Sequence, residues 1–156
     1  MKIYNPTTGY DNDTDHKSVF LAGPTYRIDK KNPYDFNRGW RADAVKHFQE
    51  FGFDGAIYIP EPMPGNFKNQ IDWETHHLAR ADVILFWIPR DLKTLPGFTT
   101  NIEFGEWLKS GKIVLGSPRG AEKMRYLIHR AKQNNVPVTD NLVATVRSAM
   151  GLVKTR

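Results

Sequence analysis

Residues 81–115, ADVILFWIPRDLKTLPGFTTNIEFGEWLKSGKIVL, decide how the rest of the chain is arranged. The run Val83-Ile84-Leu85-Phe86-Trp87-Ile88 is too short to cross a membrane and lacks polar alternation, so it suits a strand buried on both faces. A loop with Pro89, Pro96 and Gly97 follows. Thr99-Thr100-Asn101 then opens a helix with Glu103 in its first turn, Gly111 closes it, and Lys112-Ile113-Val114-Leu115 forms the next strand. This strand–helix–strand unit holds one acid at the strand's carboxyl edge, where open α/β sheets bind ligands.

Outward from this unit, Ser18–Ala22 reads as a first strand ending at Gly23-Pro24. Residues 24–37 form a loop with Tyr26, Arg27, Lys30, Lys31 and Tyr34, and a loop of that length directly after a first strand points to a functional role. A helix from about Gly39 to Phe51 turns Trp40, Ala44, Val45 and Phe48 toward the sheet. Ala56–Ile59 is the second strand, and a second helix runs from about Asn69 to Arg80. Beyond the central unit come a helix over about Ala121–Gln133, a short edge strand at Val136–Val138, and a last helix capped by Asp140.

Alternating strands and helices specify a parallel sheet under right-handed crossovers. The expected fold class is α/β: a flavodoxin-like (Rossmann-like) three-layer sandwich with a four- or five-stranded parallel sheet in the order 2-1-3-4-5. Its crevice opens where strands one and three diverge. Residues 1–17 are polar and turn-rich and read as a flexible N-terminal arm, with 18–156 as one domain.

With 156 residues, of which 40% are hydrophobic, the chain is long enough for a packed core without staples. The absence of cysteine excludes disulfides, thiolate catalysis and cysteine-based zinc sites. No run approaches the length of a spanning helix and the start lacks a signal-peptide pattern, so a cytoplasmic location and no membrane partner are expected. The net charge of +5 comes from singly scattered lysines and arginines, which disfavours polymeric nucleic acid and suits a pocket for a phosphorylated small molecule.

The acidic alternation Asp11-Asn12-Asp13-Thr14-Asp15 resembles an EF-hand opening. However, His16 stands where the turn needs glycine and Ala22 where a bidentate Glu belongs, so calcium is rejected. His76-His77 lacks any metal-site context and reads as a partly exposed pair. Gly116-Ser117-Pro118-Arg119-Gly120 fails the Walker spacing but could offer backbone N–H groups to an anion, and no GxGxxG follows the first strand.

Two acids stand out. Thr100-Asn101-Ile102-Glu103 matches a capping box, which would give Glu103 a purely structural task. The same position near a helix N-terminus would keep its carboxylate ionised and aimed at the ligand edge, as attack on a sugar carbon requires. Glu74 lies in the second helix between Ile71 and Leu78 on the apolar face. Two carboxylates at one crevice match glycosyl-transfer chemistry. Trp73, Trp87 and Trp107 could stack on a nucleobase or belong to the core.

The blocks Val19–Pro24, Trp40-Arg41, Trp73-Glu74-Thr75, Ala81–Trp87, Asn101–Gly105 and Gly111-Lys112 together resemble the nucleoside 2-deoxyribosyltransferase family, in its deoxyribosyltransferase-like branch with deoxynucleotide N-glycosidases as relatives. The resemblance implies cleavage or transfer at the N-glycosidic bond of a 2'-deoxynucleoside or its 5'-monophosphate. By the family's pattern Glu103 is the nucleophile, forming a covalent deoxyribosyl-enzyme, and Glu74 is the assisting acid where relatives often have Asp. Gly23, Pro24, Tyr26, Arg27, Arg41, Trp87, Thr100, Asn101 and Ser117 are the expected substrate-binding residues, with Arg27 and Arg41 available to a 5'-phosphate. No metal or organic cofactor is required, and a homo-oligomer is expected because relatives complete their sites across subunits. Phe20 replaces the tyrosine that relatives use to orient the nucleophile, and Gly97 falls where transferases carry an Asp; Tyr26 or Tyr58 could compensate. Two alternatives remain open: a non-catalytic nucleotide-binding or sensing domain, and a nicotinamide-nucleotide glycosidase.

Overall fold

In the computed structural model, residues 1–13, 15–25, 39–60 and 67–155 are described. Tyr26 and Arg27 lie outside them. The elements are β1 (Lys2–Tyr4), β2 (Ser18–Ala22), α1 (Trp40–Glu50), β3 (Ala56–Tyr58), α2 (Phe67–Arg80), β4 (Val83–Trp87), α3 (Phe98–Trp107), β5 (Ile113–Gly116), α4 (Arg125–Gln133), β6 (Val138–Thr139) and α5 (Leu142–Lys154). Among the described residues the sheet has six strands, all parallel, in the order β1-β3-β2-β4-β5-β6. The fold is the flavodoxin-like α/β class. Its inner order is the expected 2-1-3-4-5.

The correction lies at the edge. The sheet has one strand more than the four or five expected, because Lys2–Tyr4 pairs in parallel with Ala56–Tyr58. Three residues are too few to show a strand period in sequence, and what recruits them is the otherwise open edge of β3.

Strand periodicity of two distributes the central residues to two cores. Phe20, Ile84 and Phe86 face the α2–α3–α4 side with Trp73 and Phe104, while Val19, Leu21, Leu85 and Trp87 face the α1–α5 side with Trp40, Phe48 and Val146. Both faces are covered, which is why Val83–Ile88 reads as a continuous apolar run. Lys112 fixes the end of α2: its buried ammonium donates to the carbonyls of Leu78 (2.8 Å), Ala79 (2.8 Å) and Ala81 (3.0 Å), where the helix dipole is negative. Two helices emerge from this arrangement at the carboxyl edge, α2 with Glu74 and α3 with Glu103.

Candidate functional site

The floor of the crevice is built by a glycine. Gly23 has φ +148°, and a Cβ there would lie 2.2 Å from the Trp87 carbonyl oxygen, so only glycine lets β2 and β4 approach this closely at their ends. Pro24 is buried beside it, and its carbonyl accepts from Trp40 Nε1 at 3.0 Å. Arg41 is 8% exposed and reaches over the sheet end from α1. Its Nε donates to Leu21 O at 3.1 Å, Nη2 to Gly23 O at 2.6 Å and Nη1 to Thr25 Oγ1 at 3.0 Å. Arg41 therefore holds the end of β2 and Thr25 with its donors while contributing positive charge.

Gly97, in the left-handed region at φ 63°, is the N-cap of α3, and the helix begins at Phe98 with no side-chain capping bond. This overturns the capping-box expectation: Thr100 is a buried helical residue, so Glu103 sits in the second turn, and no acid occupies the first. The turn at Pro96-Gly97 starts the helix three residues earlier than the Thr-x-x-Glu spacing suggests. A Cβ on Gly97 would meet Pro24 at 3.3 Å and Thr100 Oγ1 at 3.6 Å, which places the start of α3 against the β2 loop.

The expected ionisation of Glu103 changes with its address. Its carboxyl is half-buried, and burial, the negative charge of Glu74 and that of Glu106 together raise its pKa from 4.5 to about 7, against the lowering effect of Arg41. Glu74 is likewise raised by burial, opposed by a hydrogen bond from Gln70 Nε2 at 2.8 Å and by Arg41. Among the described residues no donor reaches the Glu103 carboxylate. Two mutually repelling carboxyls and one shared cation thus meet at the carboxyl edge between β2 and β4.

The other expected site residues divide. Thr100, Gly23, Pro24 and Arg41 gather at this edge with Glu74 and Glu103. Asn101 is two residues from Glu103, about 200° around the helix, and its Oδ1 accepts from Arg90 Nη2 on the other side of α3. The Trp87 ring packs in the α1–α5 core, and it is the residue's backbone that meets the crevice floor. Ser117 belongs to a different place, a cleft of about 960 Å³ between β6, α4 and the start of α5 that also holds Arg119, Lys123 and Lys132.

Sequence reasoning missed three groups. His77 is 0% exposed, not part of an exposed pair; it stacks on Trp73 at 4.0 Å. The signal was available, since positions 73 and 77 share a helical face. Asp11 is 1% exposed and accepts from Tyr58 OH at 2.7 Å. Tyr58 is thereby committed to Asp11 and Arg80, at 3.2 Å, rather than to Glu103. Arg90, 5% exposed, has an Nε without a partner, and burial lowers its pKa.

The chain is thus a parallel α/β sheet with Glu74 and Glu103 on helices at its carboxyl edge. A family model described as "Nucleoside 2-deoxyribosyltransferase like" matches residues 16–121, well over half of the chain, and the chain belongs to that family. No curated protein sequence matches it. No helix among the described residues is long and apolar enough to cross a membrane.

Proposed function

We propose that the protein cleaves the N-glycosidic bond of a 2'-deoxynucleoside or its 5'-monophosphate, with Glu103 as nucleophile and Glu74 as the proton-handling acid. The observation that carries this reading is the pair itself. Glu103 has no hydrogen-bond donor of its own among the described residues, and its coupling to Glu74 favours one proton shared between two carboxyls. Ionised Glu103 attacks C1' and forms an ester to the sugar, while the C1'–N bond breaks and its electrons leave with the base. The proton held by Glu74 goes to the departing base. Water or a second base then attacks C1', the ester opens to restore Glu103, and the incoming group's proton returns to Glu74. Two displacements give net retention. On this reading Thr100, Gly23, Pro24 and Arg41 serve the sugar side of the site, and Arg27, which lies outside the described residues, is assigned to a 5'-phosphate from the sequence.

A second reading is a nucleotide-binding domain without turnover. The commitment of Tyr58 to Asp11 favours it, since that leaves no described hydroxyl on Glu103 in place of the missing strand tyrosine. A homo-oligomer is part of the proposal: Phe98 (73% exposed) and Ile102 (71%) present one apolar face of α3 beside the site. Light scattering of the purified protein is expected to give a dimer mass or more, and a monomer counts against it.

The deciding assay is chromatography of the four deoxynucleosides and their 5'-monophosphates, with and without a second free base, for wild type and Glu103→Ala. Release or exchange that disappears in the variant supports the enzyme. Silence of both proteins with retained nucleotide binding favours the binding domain.

A further inference from the structure

The residues before position 16 lie outside the matched family region, yet they are bonded to the helix that carries Glu74. Trp73 Nε1 donates to Gly9 O at 2.8 Å, and the Asp11 backbone N–H donates to His77 Nε2 at 3.2 Å. Because Nε2 accepts, the His77 proton sits on Nδ1, which donates to Trp73 O at 2.8 Å. Burial holds the imidazole pKa down to about 4, so the ring stays neutral and this tautomer persists at working pH. The Asp11 carboxylate is itself fixed. Oδ2 accepts from Tyr58 OH and from His16 Nε2, both at 2.7 Å, and Oδ1 accepts from the Asp13 N–H at 3.1 Å. At about 100° per residue Trp73 and His77 share a face of α2, and Glu74 lies about a quarter turn from it.

We propose that Asp11 is a positioning residue: it clamps the Trp73–His77 turn of α2 from outside the sheet and so fixes where Glu74 stands against Glu103 and Arg41. The clamp is read from geometry alone; its link to catalysis rests on the proposed roles of the two carboxyls. Lys112 holds the last carbonyls of α2, and the N-terminal segment supplies the second fixed point, one turn closer to the site. The coupling between two carboxyls falls with distance, so a small rotation of α2 changes it. The charged groups that face Glu103 are Glu74 from α2, Arg41 from α1 and Glu106 from α3 itself. Of these, Glu74 is the one that the clamp moves.

The test is a carboxyl-carbon NMR titration of Glu74 and Glu103 in wild type, Asp11→Ala, Asp11→Asn and Tyr58→Phe. Val153→Ala serves as control, a core truncation on the opposite face of the sheet. In Asp11→Ala the Glu103 midpoint is expected to fall by about 1 pH unit as its coupling to Glu74 weakens. Tyr58→Phe moves it the same way by less, Asp11→Asn, which keeps an acceptor, restores part of the wild-type value, and Val153→Ala leaves it in place. An unchanged Glu103 midpoint in folded Asp11→Ala, or an equal fall in Val153→Ala, overturns the proposal. Should Asp11→Ala fail to fold, the near-isosteric Tyr58→Phe decides by the same criterion. The readout needs no turnover: a shifted midpoint in a protein that releases no base sinks the glycosidic reading and leaves the clamp standing.

Discussion

Asp11 and Glu103 are both carboxylates withdrawn from water beside α2, and they have opposite fates. Asp11 is the more deeply buried by exposed surface, and burial alone would raise its pKa; hydrogen bonds from Tyr58, the Asp13 N–H and His16 outweigh that and hold it below the usual range. Glu103 is only half-buried, has no donor among the described residues, and faces a second acid, so its pKa rises to about 7. Burial pushes both carboxyls upward, and the donors decide whether it prevails. A satisfied carboxylate is a structural post, whereas an unsatisfied one beside a like charge is available for chemistry.

The comparison breaks most visibly at Glu103. Glu103→Gln is expected to lower base release by roughly 10⁴-fold or more, because an amide cannot form the ester, while Glu74→Gln, which spares the nucleophile, loses about 10²-fold. Single-turnover assays against 5'-monophosphates and free deoxynucleosides measure both, and equal losses would remove the distinction between the two roles. In wild type the rate is expected to fall about tenfold per pH unit above a limb near 7, where the pair loses the one proton that Glu74 delivers to the departing base.

Asp11→Ala is the counterpart on the structural side. It leaves Tyr58 OH and His16 without their acceptor, and urea unfolding at pH 7 is expected to show a loss of about 3 kcal/mol. The Asp11 pKa is depressed, so its stabilisation is present above the unfolded value of 3.8 and disappears as pH falls through the native value. The wild-type and variant stabilities should therefore converge in acid.

Stability at Glu103 runs the other way. Its native pKa of about 7 lies above the reference 4.5, so the native state binds the extra proton between those values and loses stability as pH rises through them. Glu103→Gln is expected to be more stable than wild type at pH 8 by about 1–2 kcal/mol and no more stable at pH 4, as read by thermal unfolding. A variant that stabilises equally at both pH values would place the strain elsewhere. The smallest effect is Tyr58→Phe, about 1 kcal/mol for the loss of the bond to Asp11 and the longer one from Arg80, since Asp11 keeps its other donors and Arg80 can turn to water.

Much of the frame was legible in the residues. Continuous apolar runs at 19–22 and 83–88, each closed by Gly or Pro, mark strands buried on both faces, and the helices between them force parallel pairing. The β1 strand was not legible, because three residues carry no period and their partner is chosen by which sheet edge is open. Glu103 and Glu74 were recognisable as paired acids, but the capping-box reading of Glu103 failed, since the same four letters fit a helix that starts at Thr100 or at Phe98. Asn101 and Trp87 show a further limit. A motif places residues close in sequence, and helix rotation or strand alternation then sends their side chains to opposite sides.

The sequence by itself determined the layer order, the crevice position and the presence of two acids beside it, because these follow from local periodicity and the handedness of crossovers. Only the tertiary structure decided how those acids behave. Protonation depends on which donors and charges arrive from distant segments, and here Arg41 comes from α1, Glu74 from α2, and the Asp11 clamp from residues that as sequence read only as a polar arm. Such contacts join positions far apart in the chain, 66 residues for Asp11 and His77, and no local pattern encodes them.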